Sequence, residues 1–182
     1  MKNKELLVLA ILIVIVSIFT SCKKSDNDPM LPFNTRDGRI TNSWKLTKLN
    51  KIITTVNSLG ITDTKIYSFD GTNMVYEHED YYGTKIEETY SYSDQLVISK
   101  DNLYTQVVTQ GDNSTKTQAF WYWHDATKSK IGISFDNGII YLIKRLARKE
   151  LILEYSKNIE QTNSNGEKTM IINSEILTYK AE

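Results

Sequence analysis

Cysteine, proline and histidine are almost missing from this chain: of 182 residues one is Cys, two are Pro and two are His, and the 22 Lys and Arg are matched by 22 Asp and Glu. Each scarcity excludes something. A lone cysteine forms no internal disulfide, so the folded part must be held by its core. The two histidines, His78 and His124, lie too far apart for a metalloprotease helix, and zinc needs three or four convergent ligands. There is no Gly-x-Ser-x-Gly elbow and no glycine-rich phosphate loop. Balanced charge without a basic block excludes a nucleic-acid partner. No catalytic set, metal site or cofactor is therefore expected, and the chain does not read as an enzyme.

What is present begins at the N-terminus. Lys2 and Lys4 precede an apolar run from Leu6 to Phe19 broken only by Ser17, the length of a signal-peptide core and shorter than the roughly 20 residues a spanning helix needs. The run ends in Phe19-Thr20-Ser21-Cys22, followed by Lys23 and Lys24. This tetrapeptide resembles the bacterial lipobox. The resemblance implies that residues 1–21 are removed and that Cys22 carries acyl chains, which anchor far more firmly than a single lipid. Residues 22–38, with Pro29 and Pro32, read as a tether. Lys23 in place of Asp implies, by Gram-negative sorting rules, an outer-membrane lipoprotein. Asp26 and Asp28 leave its periplasmic or surface orientation open. Loss of Lys2, Lys4 and Glu5 takes the charge balance from 22 and 22 to 20 basic and 21 acidic residues, so the mature chain is nearly neutral.

Residues 39–182 read as one all-β domain. Short runs of β-branched and aromatic residues alternate with Gly, Asn and Asp. The expected strands are Ser43–Val56, Thr64–Phe69, Met74–Tyr81, Lys85–Tyr92, Gln95–Ser99, Leu103–Thr109, Thr117–His124, Lys130–Phe135, Ile139–Leu146, Leu151–Tyr155 and Met170–Tyr179. Period-two alternation, as in Ile131, Ile133 and Phe135 or Leu151, Leu153 and Tyr155, buries one face of each. Asp136-Asn137-Gly138 predicts a type I′ hairpin, and Gly132 inside a strand predicts a bulge or bend. Ile139 to Ala147 also fits helical spacing, but the neighbouring turn and strand favour strand; a short helix is expected around Phe33 to Asn42. Consecutive antiparallel strands without helices hide their edges by closing, so the expected architecture is an up-and-down β-barrel of about 8 to 10 strands.

The segments Asn42-Ser43-Trp44-Lys45-Leu46, Tyr67-Ser68-Phe69-Asp70-Gly71-Thr72 and Ile139 to Leu146 followed by Lys149 to Tyr155 resemble the lipocalin-like lipoproteins of Gram-negative envelopes. That resemblance covers residues 40–180. It implies a barrel closed at its floor by Trp44, with Arg145 and Arg148 as candidate basic partners, and Asn42 standing where lipocalins carry glycine. It also implies a non-catalytic binding or interaction module, for a small apolar or saccharide ligand or an envelope protein.

Two clusters are candidate sites. In Phe120-Trp121-Tyr122-Trp123 alternation sends the two tryptophans to one face. Trp121 and Trp123 are the candidate ligand or partner surface, suited to sugar rings or a protein; the alternative is that this face lies under a loop or the N-terminal segment. Glu77, Glu79, Asp80, Glu87 and Glu88 form an acidic cluster across Gly83, read either as a solvated rim or as a Ca²⁺ site.

Overall fold

The computed structural model describes residues 35–133 and 138–182. The expected signal segment, Cys22 and the expected tether up to residue 34 lie outside the described residues, as do Asp136 and Asn137 of the expected hairpin turn. Among the described residues ten strands follow one short helix, α1 (Arg36–Ile40): β1 (Asn42–Val56), β2 (Thr62–Phe69), β3 (Asn73–Glu79), β4 (Lys85–Ile98), β5 (Leu103–Gln110), β6 (Asn113–Trp123), β7 (Lys130–Ile133), β8 (Ile139–Leu146), β9 (Glu150–Thr162) and β10 (Lys168–Ala181). All pairings are antiparallel: each strand pairs with its chain neighbours, β1 also pairs with β4, and β1 joins β10 to close an up-and-down barrel.

Local chemistry explains most of the boundaries. Three hairpins share one turn, Asx-x-x-Gly, at Asn57–Gly60, Asp80–Gly83 and Asn163–Gly166. In each, the Asx side chain accepts two backbone N–H bonds, and the glycine sits at a φ of 78° or 79°, which other residues rarely adopt. Lys85–Tyr92 and Gln95–Ser99, expected as separate strands, are one strand, β4, because Asp94 faces inward instead of making a turn. Ile139–Leu146 is a strand, paired on both sides. Gly132 marks neither bulge nor bend: its ladder is regular, and the ring of Tyr122 on the opposite strand occupies the space a Cβ would need, 2.3 Å from Cζ. The bulges lie elsewhere, between Leu46 and Lys48 and between Ile143 and Arg145.

β1 has three partners. Asn42–Lys45 pairs with Gln95–Ile98 of β4, whereas Leu49–Val56 pairs with β2, and β10 runs along the other edge. The β2–β3 hairpin therefore enters only halfway along the barrel, which is eight strands round at one end and ten at the other. The narrow end is filled. Trp44, Leu46, Leu96, Ile98, Ile131, Ile143, Leu146, Leu151 and Tyr179 are essentially buried there.

Helix α1 lies across this narrow end. Thr35 Oγ1 caps it by accepting from Gly38 N. Its Ile40 is fully buried, its carbonyl accepts the Trp44 Nε1 hydrogen at 2.9 Å, and Arg39 Nη1 donates to Leu146 O at 2.9 Å. Arg145, one of the basic residues considered for Trp44, instead ion-pairs with Glu150. Trp44→Ala, which removes both this bond and the largest buried side chain, is expected to lower unfolding free energy by about 3–5 kcal/mol in urea titration.

Candidate functional site

The wide end is built differently from the narrow one. Cross-strand register places Tyr155, Glu175, Lys51, Tyr67, Tyr76 and Glu88 in one row over β9, β10, β1, β2, β3 and β4, and the Tyr141 ring of β8 continues it, 5.8 Å from that of Tyr155. One step toward the narrow end the row is Ile143, Leu153, Leu177, Leu49, Phe69 and Met74. On these strands an apolar row thus lies beneath a row of phenols and charges. With Tyr90, Tyr92, Tyr104 and Tyr179, the inward faces hold all of the 11 tyrosines except Tyr81, Tyr82 and Tyr122. Solvent reaches this lumen: the side chains of Lys51, His78, Asp63 and Glu175 keep 30, 22, 16 and 14 % of their exposure.

At the bottom of the lumen sits a carboxylate that sequence reasoning did not single out. Asp94 is 2 % exposed. Its Oδ2 accepts from Gln106 Nε2 at 2.7 Å and from Tyr179 OH at 3.2 Å, and Tyr104 OH donates to Gln106 Oε1 at 2.8 Å. Its Oδ1 is buried with no hydrogen-bond partner among the described residues, as is Asn173 Oδ1 on β10. Above it, Tyr141 OH donates to Glu175 Oε2 at 3.4 Å, and Lys51 Nζ stands 3.6 Å from Glu175 Oε1.

Burial sets the electrostatics. Desolvation pushes the Asp94 carboxyl up; the hydrogen bonds from Gln106 and Tyr179 oppose it and the charge of Glu175 reinforces it, for a net rise to about 6. The phenols of Tyr92, Tyr104, Tyr141 and Tyr179 are raised by burial first and by the neighbouring carboxylates second. They therefore remain O–H donors at neutral pH.

Trp121 and Trp123 lie on the inward face of β6, and the exposed aromatics of that strand are Phe120 and Tyr122. Trp121 is 4 % exposed and donates through Nε1 to Ser99 O at 2.9 Å. Trp123 packs edge-on against it at 5.6 Å and donates through Nε1 to Asp37 Oδ1 of α1 at 2.6 Å. Asp37 also holds Lys128, whose Nζ lies over the Trp123 ring. The pair lines a groove beside α1, with Asp37, Gly38 and Thr41 on its other wall, so in place of the free outer surface expected of it the tryptophan face docks α1.

The acidic cluster divides between two faces. Glu77 and Glu87 are directly opposed on the outside, Glu79 pairs with Lys85 at 3.1 Å, Glu88 belongs to the inner row, and Asp80 caps its turn. His78 faces inward, bonded through Nε2 to Asp63 Oδ2 at 2.8 Å. Among the described residues no group of three or more His, Cys, Asp or Glu is arranged to hold a metal ion.

Because the Asp94 carboxyl sits near 6 in the folded chain and at its ordinary 3.8 when unfolded, the folded state binds the extra proton between those values. Stability should fall as pH rises through this window, by roughly 3 kcal/mol. The exposed carboxylates of Asp70 and Asp80, held low by the backbone N–H groups of Asn73 and Thr84, act in the opposite sense. The difference between wild type and Asp94→Asn in urea titrations at pH 4 and pH 7 isolates the Asp94 contribution, which a pH-independent difference would deny. No protein-family model, curated protein or solved structure matches this chain.

Proposed function

We propose that this protein is a non-catalytic binding protein that takes a small ligand into the wide end of its barrel, held on the bacterial outer membrane through acyl chains on Cys22. The observation that carries the reading is the contrast between the two ends. The narrow end spends its inward faces on buried aliphatic and tryptophan side chains; the wide end spends them on part-exposed phenols, carboxylates and the lysines Lys51 and Lys65. Side chains that combine an apolar ring with a polar tip suit a ligand that must be both enclosed and hydrogen-bonded. The lipocalin-like resemblance points to the same class of protein, and a fold alone does not name the ligand.

The anchor supports this orientation. The chain enters the barrel through α1 at the narrow end, so a lipid on Cys22 would place that end toward the membrane and leave the lumen facing away. Native mass spectrometry of the protein extracted from its own membrane is expected to show the acylated chain with a bound small molecule. An empty barrel that co-purifies with a second protein would replace ligand binding with an assembly role. Cys22→Ser is expected to move the protein from the membrane to the soluble fraction and to abolish labelling by palmitate, and a variant that stays membrane-bound would refute the anchor.

A further inference from the structure

The chemistry of the lumen narrows what it could hold. Its unsatisfied buried atoms, Asp94 Oδ1 and Asn173 Oδ1, are both acceptors, so an occupant must bring hydrogen-bond donors. Among the described residues Asp94 is paired with no cation: its partners are the Gln106 amide and the Tyr179 phenol, Lys51 stands against Glu175, and Lys65 lies on the inward face of β2 beside Tyr67. A neutral donor would satisfy Oδ1 and leave the carboxylate charge buried without compensation, which is costly. The surrounding surface is aromatic, formed by Tyr92, Tyr104, Tyr141 and Tyr179, each close enough to Asp94 or Glu175 to feel its charge. Tyrosine faces attract cations. An inorganic cation would want several oxygen ligands, preferably charged ones, and among the described residues no three His, Cys, Asp or Glu side chains converge to hold one.

We propose that the occupant is a small organic ammonium ion, whose N–H donors satisfy Asp94 Oδ1 and whose charge lies among the tyrosine rings. This rests on the reading of the lumen as a binding site and gives that site its ligand class. Glu175 from β10 adds a second carboxylate beside the first, and Asn173, one inward position nearer the mouth, offers a further acceptor. The fit has a protonic consequence. The groups that face Asp94 are Gln106 and Tyr104 of β5, Tyr92 of β4, Tyr141 of β8 and Tyr179 and Glu175 of β10. An ammonium ion added to this set would favour the ionised carboxylate, so binding near pH 6 should release a proton.

Isothermal titration of the full chain with benzylammonium, benzyl alcohol, benzoate and a methyl glucoside tests the assignment. Benzylammonium at pH 7 is expected to bind at least ten times more tightly than benzyl alcohol, with no measurable binding of benzoate. Its affinity should fall several-fold from pH 7 to pH 5, and heats measured near pH 6 in buffers of different ionisation enthalpy should show proton release. Asp94→Asn should erase the preference for benzylammonium while benzyl alcohol binds as before; if that variant does not fold, the proton-release measurement on the unmodified chain decides the same point. Equal affinity for benzylammonium and benzyl alcohol, a preference for the glucoside, or binding without proton release would overturn the ammonium assignment and leave the lumen as a binding site. No heat with any probe, together with an empty barrel in native mass spectra, would overturn both.

Discussion

A β-sheet leaves unpaired N–H and C=O groups along its edges, and β1 is where this barrel resolves the problem. Its first residues bond to β4 and its later ones to β2, while β10 runs along the whole of its other edge. The change of partner comes at a bulge, where Thr47 leaves the ladder and donates its hydroxyl to Thr178 O at 3.1 Å. Because the β2–β3 hairpin is admitted only beyond that point, the circumference is small enough at one end for side chains to fill it and too large at the other. The plug of Trp44, Ile40 and α1 and the polar lumen are two outcomes of this one arrangement.

The rows of side chains across the strands make the division sharp. Ile143, Leu153, Leu177, Leu49, Phe69 and Met74 form a continuous apolar layer, and the next row is dominated by tyrosine with Glu175, Lys51 and Glu88. Asp94 is the exception to the layering, a carboxylate carried down to the level of the core. Burial of a charge without a cation opposes folding, and phenol and amide hydrogen bonds offset only part of that cost. A group that weakens the fold where every neighbour strengthens it is the kind of local conflict that marks a functional site.

Much of the fold was legible because strands and turns are local chemistry. Alternation in Leu151, Leu153 and Tyr155 named the inward face of β9, and Asp80 and Gly83 punctuated a hairpin through their own side chain and backbone. The short helix appeared where strand signals ran out, at Arg36–Ile40. The misses have equally local causes. Gly132 resembles a bulge until the Tyr122 ring is laid over it. In Phe120-Trp121-Tyr122-Trp123 both parities are aromatic, so nothing in the run itself says which pair faces inward; the answer lies in Asp37 and Ser99, which bond the two indoles.

The sequence by itself determined that the chain would form antiparallel strands closing on one another, since period-two hydrophobicity, Asx-Gly turns and the lack of helices act over a few residues at a time. It is also the whole basis for expecting a signal segment and a lipidated Cys22, a pattern read linearly. Only the tertiary structure decided the site. Asp94, Gln106, Tyr141, Glu175 and Tyr179 come from four strands spread over 86 residues, and a lone Asp among strand residues looks like any solvent-facing one until closure and register set it against Tyr179 and Gln106.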